Sequence, residues 1–290
     1  MCASPSIPPL TLALLGAGSV FAMSSLTERP PGSMLRSAVV KVPEITVYFW
    51  LIKVLSTTVG ETFADWLTNN VGLGEQGTFA LMAVVLIAAL VWQFLLNRYL
   101  APVYWLTVVL ISITGTLLTD NMVDNWGVSL VTSTIVFSVA LAATFAIWYR
   151  LEGTLSIHTV DNFRREVLYW TTILFTFALG TAAGDLFAEK IALGYFATLM
   201  IFAGCILVIG AAYRLHLLGA IATFWATYVV TRPLGASLGD YLSQPRDASG
   251  LGLGTTTTSL IFLTAILVLV SFLAITKIDK PRLDERMPAA

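Results

Sequence analysis

The sequence predicts an all-α membrane protein with eight transmembrane helices, arranged as four tandem two-helix repeats around a central pseudo-symmetry axis. Composition is the first observation behind this prediction. Hydrophobic residues make up 57% of the 290 residues, charged residues only 11%, and the mean hydropathy is +0.83. A soluble domain typically has about 25% charged residues. The second observation is that the apolar residues form long continuous blocks, and the third is a motif that recurs four times.

The apolar blocks predict helices, because about 20 apolar residues are needed to cross the hydrocarbon layer of a bilayer. A membrane β-barrel would alternate apolar and polar residues instead. The predicted spans are about residues 44–67, 77–96, 101–120, 128–149, 166–187, 194–213, 217–240 and 256–276.

The repeats define the domain organisation. We expect an irregular N-terminal extension (1–37), an eight-helix transmembrane domain (38–280) and a cytoplasmic tail (281–290). Within the domain the repeats cover about residues 41–99, 100–152, 160–215 and 216–278.

The recurring motif is an aromatic–Trp pair, followed by Gly ten residues after the Trp and Asp fifteen residues after it. Fifteen residues of helix advance roughly 22 Å, so Trp and Asp lie near opposite ends of the first helix of each repeat, on nearly the same face. The motif residues are Trp50, Gly60 and Asp65; Trp105, Gly115 and Asp120; Trp170, Gly180 and Asp185; and Trp225, Gly235 and Asp240.

Each motif position has a structural and a functional interpretation. We interpret the Trp and its aromatic neighbour as an interfacial anchor. The Gly is interpreted as a close-packing residue between inner helices, with a hinge or a backbone ligand as the alternative. The Asp either caps a turn or the next helix, or joins a ring of four carboxylates that attracts cations to the mouth of a central pathway.

Three ionisable residues inside the spans, Lys53, Glu61 and Arg232, are functional candidates because buried charge is expensive in a membrane. Glu61 and Asp65 are four residues apart on one helix face, so they could bind one cation or share a proton, with Lys53 neutralising the empty site. We therefore predict Glu61 and Asp65 as metal ligands. The predicted ion pathway comprises Glu61, Asp65, Asp120, Asp185, Asp240, Lys53 and Arg232.

The distribution of basic residues predicts orientation. Twelve Lys and Arg residues lie on the side of the termini and the loops between repeats, whereas only Lys190 and Arg246 lie on the other side. Cytoplasmic loops carry the excess of Lys and Arg. We expect a multi-pass protein of the bacterial inner membrane with both termini in the cytoplasm.

Enzyme motifs are absent from the sequence, which has no P-loop, no G-x-S-x-G and no H-E-x-x-H. We expect no enzyme activity, no cofactor and no nucleic-acid partner; the expected partners are the lipid bilayer and a small cation. Carboxylate and hydroxyl oxygens suit Mg²⁺, Mn²⁺ or protons better than Cu or Zn. The predicted function is transport or export of a divalent metal or another small, proton-coupled cation. The alternative is a non-transporting membrane scaffold or assembly factor, and a small-molecule permease or a sensor also remains open.

The first repeat also carries a family resemblance. Its segments Lys41–Glu44, Tyr48–Trp50, Lys53 and Thr57–Asp65 are similar to a family of bacterial membrane-anchored proteins built of four tandem two-helix repeats of unknown function. The resemblance covers about residues 38–278. It implies the fold and the inner-membrane location, and it implies no substrate.

Overall fold

The computed structural model of the protein describes residues 40–280, and in this range it contains eight long α-helices and no β-strand. Every boundary lies within three residues of the predicted span. The predicted N-terminal extension (1–37) and cytoplasmic tail (281–290) lie outside the described residues. The helices are α1 (Val47–Asn70), α2 (Gly74–Leu95), α3 (Ala101–Asp120), α4 (Leu130–Glu152), α5 (Phe163–Asp185), α6 (Tyr195–Arg214), α7 (Ala220–Ser243) and α8 (Thr255–Thr276).

Local signals in the sequence account for several helix ends. The side chains of Thr46, Ser129 and Asn162 cap the N-termini of α1, α4 and α5 by accepting a hydrogen bond from a backbone N–H three residues later. Gly153 ends α4 with a φ of 70°, a conformation that favours glycine. Helix α7 runs through Pro233 without a break.

Six of the eight helices are long and apolar enough to cross a membrane: α2, α3, α4, α5, α6 and α8. The other two are α1 and α7. They have 24 residues each, but polar and charged side chains lower their hydropathy, among them Lys53, Glu61, Asp65, Arg232 and Asp240. Length and composition therefore indicate a membrane protein, while the sequence prediction of eight apolar spans holds for six helices.

The first helices of the four repeats pack into a closed ring, in which α1 contacts α3, α3 contacts α5, α5 contacts α7, and α7 contacts α1. We call these four the inner helices. They carry most of the buried residues of the domain, whereas the remaining outer helices expose large apolar side chains, for example Val84, Leu207 and Leu267, which are 65%, 74% and 66% exposed. Such a surface suits lipid rather than water.

Each outer helix packs mainly on the inner helix of the following repeat. Helix α2 lies on α3, α4 on α5, α6 on α7, and α8 returns to lie on α1. The ends of the domain also meet, because the backbone N–H of Glu44 donates to the carbonyl oxygen of Asp279 at 2.9 Å and the Tyr99 hydroxyl donates to the Asp279 carboxylate at 2.5 Å. The last repeat thus joins the first.

Candidate functional site

The four motif glycines allow the inner helices to touch. A Cβ atom on Gly60 would lie 2.6 Å from the Cβ of Ser112 on α3, and one on Gly235 would lie 2.5 Å from the Cβ of Thr57 on α1. Gly115 faces Phe177 on α5 in the same way, and Gly180 faces Arg232 on α7. Each contact joins the motif Gly of one repeat to the residue seven positions after the Trp of the next repeat, so these glycines are close-packing residues.

The aromatic pairs follow the same cyclic rule. The aromatic residue before each Trp packs against the Trp of the next repeat, with ring centroids 5.4–6.3 Å apart. The pairs are Phe49 with Trp105 at 5.5 Å, Tyr104 with Trp170 at 5.4 Å, Tyr169 with Trp225 at 6.3 Å, and Phe224 with Trp50 at 5.8 Å.

This packing corrects the interpretation of the motif tryptophans as interfacial anchors. Trp105, Trp170 and Trp225 are buried and Trp50 is half-buried, so they lie inside the bundle rather than against lipid. They define one end of the inner ring, which we call the aromatic end. Each Trp is covered by an aromatic side chain from the preceding repeat, a contact that sequence spacing within one repeat does not reveal.

The four motif aspartates meet at the opposite end, which we call the Asp end, and line one cavity of about 250 Å³. Among residues 40–280, the cavity wall contains eight carboxylic acids and no basic residue. Exposed residues at its rim, such as Asn69 and Glu189, open it to solvent. The eight acids are Glu61, Asp65, Glu75, Asp120, Asp124, Asp185, Glu189 and Asp240.

None of the described helix ends is capped by a motif Asp. Asp120 and Asp185 lead into short π-helical turns, Asn121–Asn125 and Leu186–Lys190, and make no side-chain capping hydrogen bond. Such π-helical turns are often found at functional sites. The capping interpretation of these two aspartates therefore has no support among residues 40–280.

Three of the carboxylates that line the cavity converge. One oxygen from each of Glu61, Asp185 and Asp240 lies within 4.8 Å of the other two, a spacing that would allow them to hold one metal ion. We call this group the carboxylate triad. Asp65, predicted as the partner of Glu61, lines the same cavity and accepts a hydrogen bond from Gln244 Nε2 at 3.4 Å.

Arg232 is the cation that pairs with Glu61. Its Nη2 donates to Glu61 Oε2 at 3.0 Å and to the hydroxyls of Thr116 and Thr181, and the guanidinium is fully buried. Thr116 and Thr181 occupy the position of Glu61 in the second and third repeats. The Nε and Nη1 atoms of Arg232 have no hydrogen-bond partner among the described residues. The sequence identified Arg232 as a candidate but did not predict this pairing.

Lys53 lies in a different environment from the one predicted. Its Nζ is fully buried and makes no hydrogen bond to any residue that the structure describes. It lies 4.0 Å from the ring centroid of Phe177 and 4.3 Å from that of Tyr228. The expected role of Lys53, neutralising the carboxylates, is thus taken by Arg232 in this conformation. Phe177 could not be identified from the sequence, because a Phe in an apolar helix looks like an ordinary packing residue.

Comparisons with known proteins give one match. Residues 48–99, 103–154, 168–216 and 223–279 match a family described as Repeat of Unknown Function (DUF347). These four segments cover well over half of the chain, which therefore belongs to this family. No curated protein and no solved structure matches the chain.

Proposed function

We propose that this four-repeat family member transports a small cation, a divalent metal such as Mn²⁺ or Mg²⁺, across the bacterial inner membrane, and that the carboxylate triad is its binding site. The observation that carries the proposal is the convergence of Glu61, Asp185 and Asp240 in an acidic cavity that opens to solvent. Oxygen ligands from carboxylates are the donors that these hard cations prefer.

The charge of the cavity supports a cation over an anion. In the described part of the chain its lining has eight acids and no base, and a concave site with one sign of charge concentrates ions of the opposite sign. The buried guanidinium of Arg232 partly neutralises the triad, which makes the site stable when it is empty.

We propose that all eight helices cross the membrane. The polar helices α1 and α7 are each as long as a span and lie in the inner ring, where α8 covers α1 and α6 covers α7. Charged residues in membranes face the bundle interior, which is where Lys53, Glu61 and Arg232 are buried. The cavity then faces the periplasm and the aromatic end faces the cytoplasm.

The test is cation flux into liposomes containing the purified protein and a Mn²⁺-sensitive dye. We expect Glu61→Gln, Asp185→Asn and Asp240→Asn each to lower flux by about tenfold or more, since a loss of about 1.4 kcal/mol in binding corresponds to tenfold. Asp247→Asn is the matched control, because Asp247 is an exposed acid at the same end and does not line the cavity. Wild-type flux in all three triad variants would overturn the assignment.

A membrane scaffold is the second candidate, and the aromatic end favours it. There the inner ring is filled by rings from all four repeats, and the buried hydroxyls of Tyr104 and Tyr169 hydrogen bond at 2.5 Å. A dry, rigid half is expected in a scaffold and in a transporter closed on that side. Folded protein that shows no Mn²⁺ or Mg²⁺ flux in either direction would favour the scaffold.

A further inference from the structure

A simple cation site does not account for the buried amine of Lys53. It lies on the aromatic side of the Glu61–Arg232 pair, fully buried and without a hydrogen-bond partner within residues 40–280. The rings of Phe177 and Tyr228 contact it. The faces of these rings attract a cation, whereas burial in a membrane penalises a charge, so a change in the charge nearby can decide whether Lys53 keeps its proton.

Arg232 shares the same aromatic ring with Lys53. Its Cζ lies 5.6 Å from the centroid of Phe177, while Lys53 Nζ lies 4.0 Å from it. Two cations therefore occupy one desolvated region, and Glu61 is the carboxylate that the structure places in direct contact with either of them. One negative charge compensates for one of the two positive charges.

The other titratable groups on the helices around Lys53 are phenols, groups toward the Asp end, and a short charged segment at the start of α5. Helix α8 contributes none. Helix α2 contributes Glu75, and α3 contributes Tyr104 and Asp120. Helix α5 contributes Tyr169 and Asp185, with Arg164, Arg165 and Glu166 near its start. Helix α7 contributes Tyr228, Arg232, Asp240 and Tyr241, and α1 itself contributes Tyr48, Glu61 and Asp65. Tyr228, which contacts Lys53, is neutral at physiological pH.

We propose that Lys53 is a proton-coupling residue: binding of a divalent cation at the carboxylate triad expels one proton from its ammonium group. The N–H bond breaks, its electron pair stays on Nζ, and the proton passes to bulk water. The inference rests on the proposed cation site and deepens it, because it makes occupancy of the triad depend on pH.

The physical cause is competition for Glu61. A metal ion held by Glu61, Asp185 and Asp240 takes the carboxylate that now pairs with Arg232. The charge of Arg232 is then uncompensated beside Lys53. A guanidinium does not lose its proton in proteins, whereas a buried ammonium does so readily, so Lys53 is the group that becomes neutral.

The experiment is calorimetric titration of purified protein in detergent with MnCl₂, repeated in buffers of different ionisation enthalpy and at about pH 6 to 9. We expect about one proton released per Mn²⁺ bound, with affinity rising about tenfold per pH unit. In Lys53→Met, Mn²⁺ binds without proton release and its affinity no longer depends on pH. In Lys53→Arg the charge is permanent, so Mn²⁺ binds more weakly, again without proton release.

The outcomes separate this inference from the proposed function. Binding of Mn²⁺ to the wild type without proton release overturns the coupling role and leaves the cation site standing. Proton release that persists in Lys53→Met would assign the proton to a carboxylate and would also overturn the coupling role of Lys53. Absence of Mn²⁺ binding to folded wild-type protein overturns both. If Lys53→Met does not fold, Lys53→Arg is the test variant, because it retains a long basic side chain.

Discussion

Phe224 of the fourth repeat packs against Trp50 of the first, with their ring centroids 5.8 Å apart. The two residues are 174 positions apart in the sequence, yet their contact repeats the one between Phe49 and Trp105 of adjacent repeats. The inner ring is therefore closed by the same contact that builds it. Closure places Arg232 of the last repeat beside Glu61 of the first, and the candidate site lies at this junction.

The first prediction concerns the motif glycines. Gly60→Ala is expected to lower the stability of the protein by about 1–3 kcal/mol, because the new methyl group overlaps Ser112. Gly210→Ala on an outer helix is the control, since a Cβ there meets no atom within 4 Å and is expected to be neutral or slightly stabilising. Thermal unfolding in detergent measures both.

A double variant sharpens this test. Ser112→Gly removes both side-chain atoms that the new methyl group would overlap. The double variant Gly60→Ala with Ser112→Gly is therefore expected to lose less stability than the sum of the losses in the two single variants. Additive effects would show that the Gly60–Ser112 contact does not limit the approach of α1 to α3.

The second prediction concerns the buried ion pair. Arg232→Met is expected to cost about 3–5 kcal/mol, because Glu61 would be left buried without its cation. The double variant with Glu61→Met is expected to recover much of this loss. Arg164, which is 62% exposed in its ion pair with Glu152, is the control, and Arg164→Met is expected to cost no more than about 1 kcal/mol. Equal losses for both Arg variants would contradict the prediction.

The third prediction concerns the tyrosine pair at the aromatic end. Tyr104→Phe is expected to destabilise the protein by about 1–3 kcal/mol, because the hydroxyl of Tyr169 loses its buried partner. Replacing both tyrosines by Phe removes the unpaired hydroxyl and is expected to cost less than the single change. Tyr149→Phe on the exposed face of α4 should leave the unfolding temperature unchanged.

The fourth prediction concerns topology. A reporter fused after Arg286 is expected to be active only in the cytoplasm, because twelve of the fourteen basic residues outside the spans lie on that side. In a background with Cys2 and Cys205 replaced by Ser, a cysteine at position 190 is expected to react with an impermeant reagent added outside. Periplasmic activity of the reporter, or protection of position 190, would reverse the orientation.

Local sequence determined much of this protein. Composition and apolar blocks predicted eight helices to within three residues, because helix formation depends on nearby residues and on length. The motif spacing predicted that the Trp and Asp of each repeat lie at opposite ends of one helix, because the helical period is fixed. The same reasoning selected all the acids of the carboxylate triad as candidates.

Tertiary structure decided which of these residues meet. The sequence grouped Asp65 and the more distant Lys53 with Glu61 because they share a helix face, yet Arg232 from 171 positions away forms the ion pair, and Asp185 and Asp240 complete the triad. Likewise, three of the four motif Trp are buried because the preceding repeat covers them. Periodicity fixes the face on which a side chain lies within its own helix. Which residue of another helix that side chain contacts depends on how the four repeats close into a ring, and this closure is a property of the whole chain.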